Sequence, residues 1–364
     1  MATPDTQTIT HSRMKCFRLC PRKHHLRYNL KLVPDRESDA LSFGKAYHLG
    51  LKALNNGFDW QAVELAVRDA FAAVPGWIQT FEEAQKWWYQ CETCVELLRG
   101  HHARYANDGL RTVAAELAFE LPLINPDTAA HSRNWVNAGV IDRLVAGPLC
   151  GVWVQEYKTA GVDCQPGTDY WLRLRMDSQV SHYVLAARNL GHDIAGVIYD
   201  VTRKPTIRPC DVSLTDDNGD VIVLDANGER VYTKDGRPRK SADSAKGYVV
   251  QTRPMTRTEW AEKLRADIEA RPDFYYVRQE VARLDADIAE HQQSVWQQAR
   301  MIRESQLSGH HPKNDDACFV FSKCEYFGIC TSGVVVTEDS VPPQGFKRAE
   351  TAHAELVESA ELVA

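Results

Sequence analysis

The sequence contains no long apolar segment. No hydrophobic run approaches the roughly 20 residues that a helix needs to cross a bilayer. The opening residues, MATPDTQTIT, also lack the basic and apolar regions of a signal peptide. We therefore expect a soluble, cytoplasmic protein without a membrane partner. Because that compartment is reducing, the 10 cysteines are expected to be thiols, a few of them metal ligands.

The chain also lacks an excess of positive charge. Its 43 basic and 49 acidic residues give a formal net charge of −6, which argues against a uniformly basic nucleic-acid-binding protein. One stretch differs, because no acidic residue lies between Asp5 and Asp35, where Arg18, Arg22 and Lys23 belong to a basic run. This run is either a solvated helix face or a surface that contacts phosphates.

The order of helical and strand patterns predicts an α/β fold with a central mixed β-sheet flanked by helices. With 364 residues, the chain is long enough for one elaborated domain, which we place at residues 12–336. The expected parts of this domain are a helical part (12–110), a strand-rich catalytic core (111–204), an insertion with hairpins (205–250), and a segment of helices and cysteines (251–336). Residues 1–11 and the acidic tail 337–364 are expected to be disordered.

Two opposite charges follow the apolar start of the strand VWVQEYKTAG. Glu156 and Lys158 share a face because side chains alternate along a strand. Asp142, in GVIDRLV, follows an apolar run on the preceding strand, so antiparallel pairing would bring both carboxylates to one site. Carboxylates and waters suit Mg²⁺ or Mn²⁺, and Lys158 would orient or help deprotonate an attacking water. Taken alone, such a pair is more often a surface ion pair of about 0–1 kcal/mol.

The same residues resemble a known pattern. VIDRLV followed by VQEYKTA is similar to the core of the PD-(D/E)xK nuclease superfamily, with Ile141 where the family name has proline. The RecB-like branch adds an upstream histidine and a Gln-x-x-x-Tyr helix. His48 in FGKAYHLG, and Gln179 and Tyr183 in QVSHY, stand in those places. The resemblance implies that Gln179 and Tyr183 position the DNA strand or the active-site residues.

The resemblance also implies a metal centre. His48, Asp142 and Glu156 would bind the catalytic Mg²⁺ or Mn²⁺, with the backbone carbonyl of Tyr157 as a further ligand. Lys158 would be the catalytic lysine. These assignments come from the family pattern, because each residue taken singly also has an ordinary structural interpretation.

Three cysteines are evenly spaced in ACFVFSKCEYFGIC, at Cys318, Cys324 and Cys330. Thiolates at such spacing bind zinc or an iron–sulfur cluster. Cys20 and Cys16 are the candidates for a fourth ligand near the other end of the chain. The arrangement resembles the iron–sulfur subgroup of RecB-like nucleases, which includes the AddB subunit and CRISPR-associated and phage exonucleases. It implies a [4Fe-4S] cluster on Cys20 and the three C-terminal cysteines that joins the chain ends, with zinc as the alternative.

Together these patterns predict a metal-dependent DNA exonuclease that hydrolyses phosphodiester bonds from single-stranded ends. It would act in recombination, repair or CRISPR-type adaptation, in a bacterium or phage, with recombination or adaptation proteins as partners. Arg18, Arg22, Lys23, Gln179 and Tyr183 are the expected DNA contacts. Two alternatives stay open: a non-catalytic DNA-binding or assembly factor with the same fold, and a restriction-type endonuclease.

Overall fold

The structure, a computed structural model, describes residues 6–147, 151–320 and 322–361. The strands are β1 (Gln7–Ile9), β2 (Leu32–Pro34), β3 (Arg111–Ile124), β4 (His131–Ala146), β5 (Val152–Ala160), β6 (Ile194–Arg203), β7 (Asp211–Ser213), β8 (Val223–Leu224), β9 (Val249–Val250), β10 (Thr252–Pro254), β11 (Tyr276–Val281) and β12 (Phe346–Arg348). The helices are α1 (His11–Leu19), α2 (Pro21–His24), α3 (Asp39–Asn55), α4 (Trp60–Ala70), α5 (Phe81–Tyr105), α6 (Asp169–Arg175), α7 (Ser178–Asn189), α8 (Arg257–Ala270), α9 (Pro272–Tyr275), α10 (Asp285–Ser308), α11 (Phe327–Ser332) and α12 (Ala354–Glu361). None of these helices has the length and apolarity needed to cross a lipid bilayer.

A six-stranded mixed sheet lies at the centre of the protein, as the sequence predicts. Its strands follow the order β1-β4-β5-β6-β11, and β3 pairs with the other edge of β4. β4 and β5 are antiparallel, β5 and β6 are parallel, and β6 and β11 are antiparallel. The parallel step needs a crossover connection, and α6 and α7 supply it. This crossover brings α7 onto the sheet beside β5.

Helices cover both faces of the sheet. On one face, α3, α4, α5 and α8 enclose a core that contains Trp260 and Tyr157. On the other face, α6 and α7 pack on a second core that contains Val154 and Tyr199. Because alternate residues of β5 point to opposite faces, Glu156 shares the face of Val154, towards α7. The alternation predicted from the sequence therefore decides which helices meet the acidic residue.

Both ends of the chain contain ordered strands, which corrects the expectation of disorder. β1 runs parallel to β4, and β12 pairs antiparallel with β2. Ile9 is fully buried in β1, and the ring of Phe346 stacks on Tyr326 with centroids 5.5 Å apart. Burying one large apolar side chain contributes about 1.5–3 kcal/mol, which offsets part of the cost of about 1–2 kcal/mol for ordering the backbone of each residue. Residues 1–5 and 362–364 of the two ends lie outside the described part of the chain.

The segment between β6 and α8 contains the tight turns that its Asn-Gly steps predict. Single bridges between Thr215 and Val221 and between Leu224 and Arg230 close two successive hairpins. Gly219 at the first turn has a φ of 81°, a left-handed conformation that glycine adopts without penalty. The insertion is thus a run of short hairpins that leaves the central sheet intact.

Candidate active site

The strands β4 and β5 separate where their acidic residues begin. Their antiparallel ladder ends at the pair Arg143–Gln155. The next pair would be Asp142 and Glu156, but here the backbone N–H of Tyr157 donates to Asp142 Oδ2 at 2.9 Å. The Asp142 side chain thus accepts the hydrogen bond that a backbone carbonyl would accept in a continuous ladder. Both carboxylates consequently lie at the point where the sheet opens.

Three side chains from separate elements converge beside this opening. His48 of α3, Glu116 of β3 and Asp142 of β4 each offer a ligand atom, and these atoms all lie within 4.8 Å of one another. His48 Nδ1 is 3.7 Å from Asp142 Oδ1. Burial lowers the pKa of His48, which favours the neutral imidazole that metals bind. Imidazole with hard carboxylate oxygens is a donor set that fits Mn²⁺ or Mg²⁺.

Glu116 is the site residue that the sequence analysis missed. The pairs Ala115–Arg143 and Leu117–Ile141 lie on either side of it, so it stands opposite Asp142. Its φ is 48°, a left-handed conformation that costs a residue with a side chain about 1–2 kcal/mol. Burial and the neighbouring Asp142 raise the pKa of Glu116 to about 8. A strained backbone beside crowded carboxylates is typical of a functional site.

Glu156 lies next to this group and keeps one oxygen free. The residue is 1% exposed, and its Oε1 is 2.6 Å from Lys158 Nζ. Its Oε2 is buried and has no hydrogen-bond partner among the described residues. Burial is the main cause that raises the pKa of Glu156, and the charge of Asp142 raises it further. A buried carboxylate oxygen without a donor is what a bound cation would satisfy.

The expected metal ligands are therefore only partly the ones that the structure brings together. His48 and Asp142 lie close together, whereas Glu116 completes the tight group and Glu156 lies outside it. The Tyr157 side chain points to the opposite core, where its hydroxyl donates to Asn55 Oδ1 at 3.2 Å. The Tyr157 carbonyl stays a predicted ligand.

Lys158 is held by a chain of hydrogen bonds on the α7 face. Its Nζ donates to Glu156 Oε1 at 2.6 Å and to Gln179 Oε1 at 2.7 Å. Gln179 Nε2 in turn donates to the hydroxyl of Tyr183 at 3.0 Å. Asp177 caps α7 by accepting from the Gln179 N–H at 3.0 Å, which fixes the start of this helix. Burial opposes the charge of Lys158, but the carboxylates of Glu156 and Asp177 raise its pKa, so the ammonium stays charged.

Several of the residues described above border one large cleft. It has a volume of about 990 Å³, and its walls include His48, Glu116, Asp142, Gln179 and Tyr183. A cleft of this volume is typical of a ligand-binding site. Four residues that the sequence motifs placed on a helix, a strand and a second helix, namely His48, Asp142, Gln179 and Tyr183, thus share one space with Glu116.

The four cysteines expected to hold a cluster line a second cavity, of about 240 Å³. Cys20 follows α1, Cys318 and Cys324 precede α11, and Cys330 lies within that helix. All four are free thiols. Cys16, the rival candidate, is 8% exposed and lies outside the residues that line this cavity. The geometry favours Cys20 as the fourth ligand.

The three basic residues expected to contact DNA have different surroundings. Arg18 is exposed, and its Nη2 donates to Ser178 Oγ at 3.3 Å, beside the start of α7. Arg22 Nε donates to the backbone carbonyl of His311 at 2.9 Å. Lys23 forms an ion pair with Glu325 at 3.0 Å, next to the cysteine-lined cavity. Arg18 thus lies beside α7, whereas Arg22 and Lys23 contact residues in the C-terminal part of the chain.

Comparison with known families gives one match. The sequence pattern of the PD-(D/E)XK nuclease superfamily matches residues 8–331, which is nearly the whole chain. The match begins in β1 and ends in α11. It therefore includes most of the cleft lining, the hairpin insertion and the cysteine-lined cavity. No curated protein matches the chain.

Proposed function

Because the chain belongs to the PD-(D/E)XK nuclease superfamily, we propose that it is a metal-dependent DNA exonuclease that hydrolyses phosphodiester bonds from single-stranded ends. The observation that carries the proposal is the convergence of His48, Glu116 and Asp142 beside the Glu156–Lys158 pair. The three candidate ligands line one cleft, and Lys158 is hydrogen-bonded to Gln179 of the cleft wall.

The residues that would hold Mg²⁺ or Mn²⁺ are His48, Glu116, Asp142 and Glu156. The free Oε2 of Glu156 and the raised pKa of Glu116 support this set, because crowded, buried carboxylates ionise readily only next to a cation. When bound, the ion would neutralise charge on the phosphate and lower the pKa of a water molecule. The Tyr157 carbonyl is retained as a further ligand of the proposed centre.

Lys158 would orient the attacking water and stabilise the negative charge that develops on the phosphate. Its raised pKa argues against a role as general base, since a base must first lose its proton. Gln179 holds the ammonium from one side and Glu156 from the other. Tyr183 fixes the orientation of the Gln179 amide. A charge held in place in this way needs no rearrangement during the reaction.

We propose a [4Fe-4S] cluster on Cys20, Cys318, Cys324 and Cys330. Zinc bonded to thiolates at about 2.3 Å would hold the sulfur atoms about 3.8 Å apart. Among these four described cysteines, no three sulfur atoms lie within 4.8 Å of one another. A cavity of about 240 Å³ lined by all four thiols supports a cluster held by cysteine thiolates. Anaerobic purification followed by an absorption spectrum and an iron assay tests this; a colourless protein that contains zinc would refute it.

The preference for single-stranded ends and the role in recombination, repair or CRISPR-type adaptation rest on the resemblance to iron–sulfur nucleases. Arg18, beside the start of α7, would guide the strand towards the cleft, with Gln179 and Tyr183 at its wall. Partner proteins of those pathways would meet the enzyme at a DNA end.

The decisive experiment compares two substrates and two variants. End-labelled linear single strands and covalently closed circles are incubated with Mg²⁺ or Mn²⁺. We expect digestion of the linear strand alone, and a loss of about a hundredfold or more in Glu156→Gln and Lys158→Met. Glu120→Gln, which alters an exposed glutamate of β3, is the matched control. Cleaved circles would indicate an endonuclease, and DNA binding without cleavage would indicate a non-catalytic factor.

A further inference from the structure

One of the lysines that line the cleft is buried, and its amino group has no hydrogen-bond partner in the described part of the chain. Lys52 is 8% exposed, and its Nζ is buried without a hydrogen-bond partner among the described residues. It lies four residues after His48 on α3, so the two side chains are neighbours on one helix face. Both residues line the cleft. The free ammonium group is therefore placed beside the proposed metal ligands.

The position of Lys52 is costly for the protein alone. A buried ammonium without a counter-ion is strongly destabilising, whereas a leucine or methionine would fill this helix position without that penalty. Nearby Leu51 and Tyr47 of the same helix are buried apolar residues of the core. A buried ammonium group is expected at such a position where a bound ligand supplies the missing hydrogen-bond acceptors.

The neighbouring acidic residues do not supply a hydrogen-bond partner for the Lys52 ammonium group. Lys52 partly offsets the rise in the pKa of Glu116 that burial and Asp142 cause, so its charge is felt there. No ion pair joins Lys52 to Glu116 or to another described carboxylate. In contrast, Lys45 on the same helix pairs with Glu37 at 2.9 Å. The three N–H donors of Lys52 are left for a group that enters the cleft.

The charge of the cleft indicates what that group is. Lys158 already shares its donors between Glu156 and Gln179. With a divalent cation among the carboxylates of Glu116, Asp142 and Glu156, the ammonium groups of Lys158 and Lys52 together would make the net charge of this group positive. An anion with several acceptor oxygens is the complementary ligand, and a phosphate of the nucleic acid backbone has this chemistry.

We propose that Lys52 is a phosphate-binding residue, separate from Lys158, that holds a backbone phosphate of the DNA strand at the active site. This inference rests on the proposed nuclease function. The alternative is that Lys52 only balances the charge of the carboxylates around it. The two roles differ in what the lysine contacts, and so in how DNA binding depends on salt.

Fluorescence anisotropy with a labelled oligothymidine, in EDTA and over a range of salt concentrations, tests the proposal. Each phosphate contact on a single strand contributes about 0.7 to the slope of log K against log salt. Lys52→Met should therefore reduce the slope by about 0.7 and weaken binding, while Lys52→Arg should keep the slope. Lys86→Met, at an exposed lysine of α5, is the matched control.

Two further measurements separate the possible failures. Lys52→Met should bind Mn²⁺ at least as tightly as the wild type without DNA, because a positive charge leaves the ligand group, and it should melt at an equal or higher temperature. Weaker Mn²⁺ binding with an unchanged salt slope would overturn the phosphate role and support charge balance. If the wild type neither binds nor cleaves DNA, the nuclease proposal itself fails. If the wild type cleaves DNA and Lys52→Met matches it in rate and slope, only the Lys52 proposal fails.

Discussion

Replacing Asp200 with asparagine should destabilise the fold by about 3 kcal/mol. Asp200 lies in the sheet, 1% exposed, and its Oδ2 accepts from Arg278 Nη2 at 2.5 Å and from Gln155 Nε2 at 2.9 Å. His101 Nε2 lies 3.1 Å from the same oxygen. Removing one partner of a buried ion pair costs about 3–5 kcal/mol. We take the lower end because Asp108 still pairs with Arg278, at 2.6 Å.

The same substitution should show a defined pH dependence. Burial alone would raise the pKa of Asp200, but His101 and Arg278 hold it well below its usual range. A carboxyl whose pKa is depressed by folding stabilises the protein above its unfolded pKa of about 3.9. That contribution is lost as the pH falls towards the folded pKa. The difference in unfolding free energy between wild type and variant should be constant from about pH 7 to 5 and shrink below about pH 4.

Urea denaturation followed by circular dichroism measures both effects. Asp273→Asn is the matched control, because Asp273 pairs with Arg104 at 2.6 Å but its side chain is 85% exposed. Exposed pairs contribute about 0–1 kcal/mol. A loss in Asp200→Asn no larger than that of the control would refute the reasoning, as would a difference that is the same at pH 7 and below pH 4. Because Gln155 precedes Glu156, we also expect slower cleavage in Asp200→Asn.

Three further predictions address the site and the cluster. Glu116→Gln should weaken Mn²⁺ binding about tenfold or more in calorimetry, since one anionic donor is lost, and an unchanged Kd would exclude it as a ligand. Gly139→Ala should lower stability by about 1–3 kcal/mol and slow cleavage, because a Cβ there would lie 3.5 Å from the Tyr183 ring and closer to a phenylalanine; a wild-type melting temperature would contradict it. Cys20→Ser should lose iron on purification, whereas Cys16→Ser should retain it; the reverse result would reassign the fourth ligand.

Local patterns account for what could be predicted of the site. Glu156 and Lys158 share a face because strands alternate, and Gln179 and Tyr183 meet because they are one helical turn apart. Both relations depend only on the geometry of one strand or one helix, and not on how the rest of the chain folds. The position of Asp142 beside Glu156 could be predicted because strands that follow one another in the chain with a short connection usually pair.

Glu116 and Lys52 could not be found in the same way. Glu116 reaches Asp142 only through the register of β3 on β4, and its left-handed backbone leaves no mark in the segment AAELAF. A lysine on a helix usually faces solvent, so the sequence gives no sign that Lys52 is buried. Only the packing of α3 over the cleft buries it. Long-range register and burial are properties of the assembled fold. A scan for charged residues one turn from His48 is the signal that would have drawn attention to Lys52.

The two candidate centres are physically connected through α1. Cys20 ends this helix, and its N–H donates to the Cys16 carbonyl at 3.0 Å. From the same helix, His11 Nε2 lies 3.1 Å from Ser178 Oγ and Arg18 donates to that oxygen. Ser178 is the first residue of α7, immediately before Gln179, which accepts a hydrogen bond from Lys158. A cluster that anchors the end of α1 would therefore also keep α7 in place. Loss of the cluster should consequently slow cleavage because Lys158 would no longer be held in position, even in molecules whose sheet remains folded.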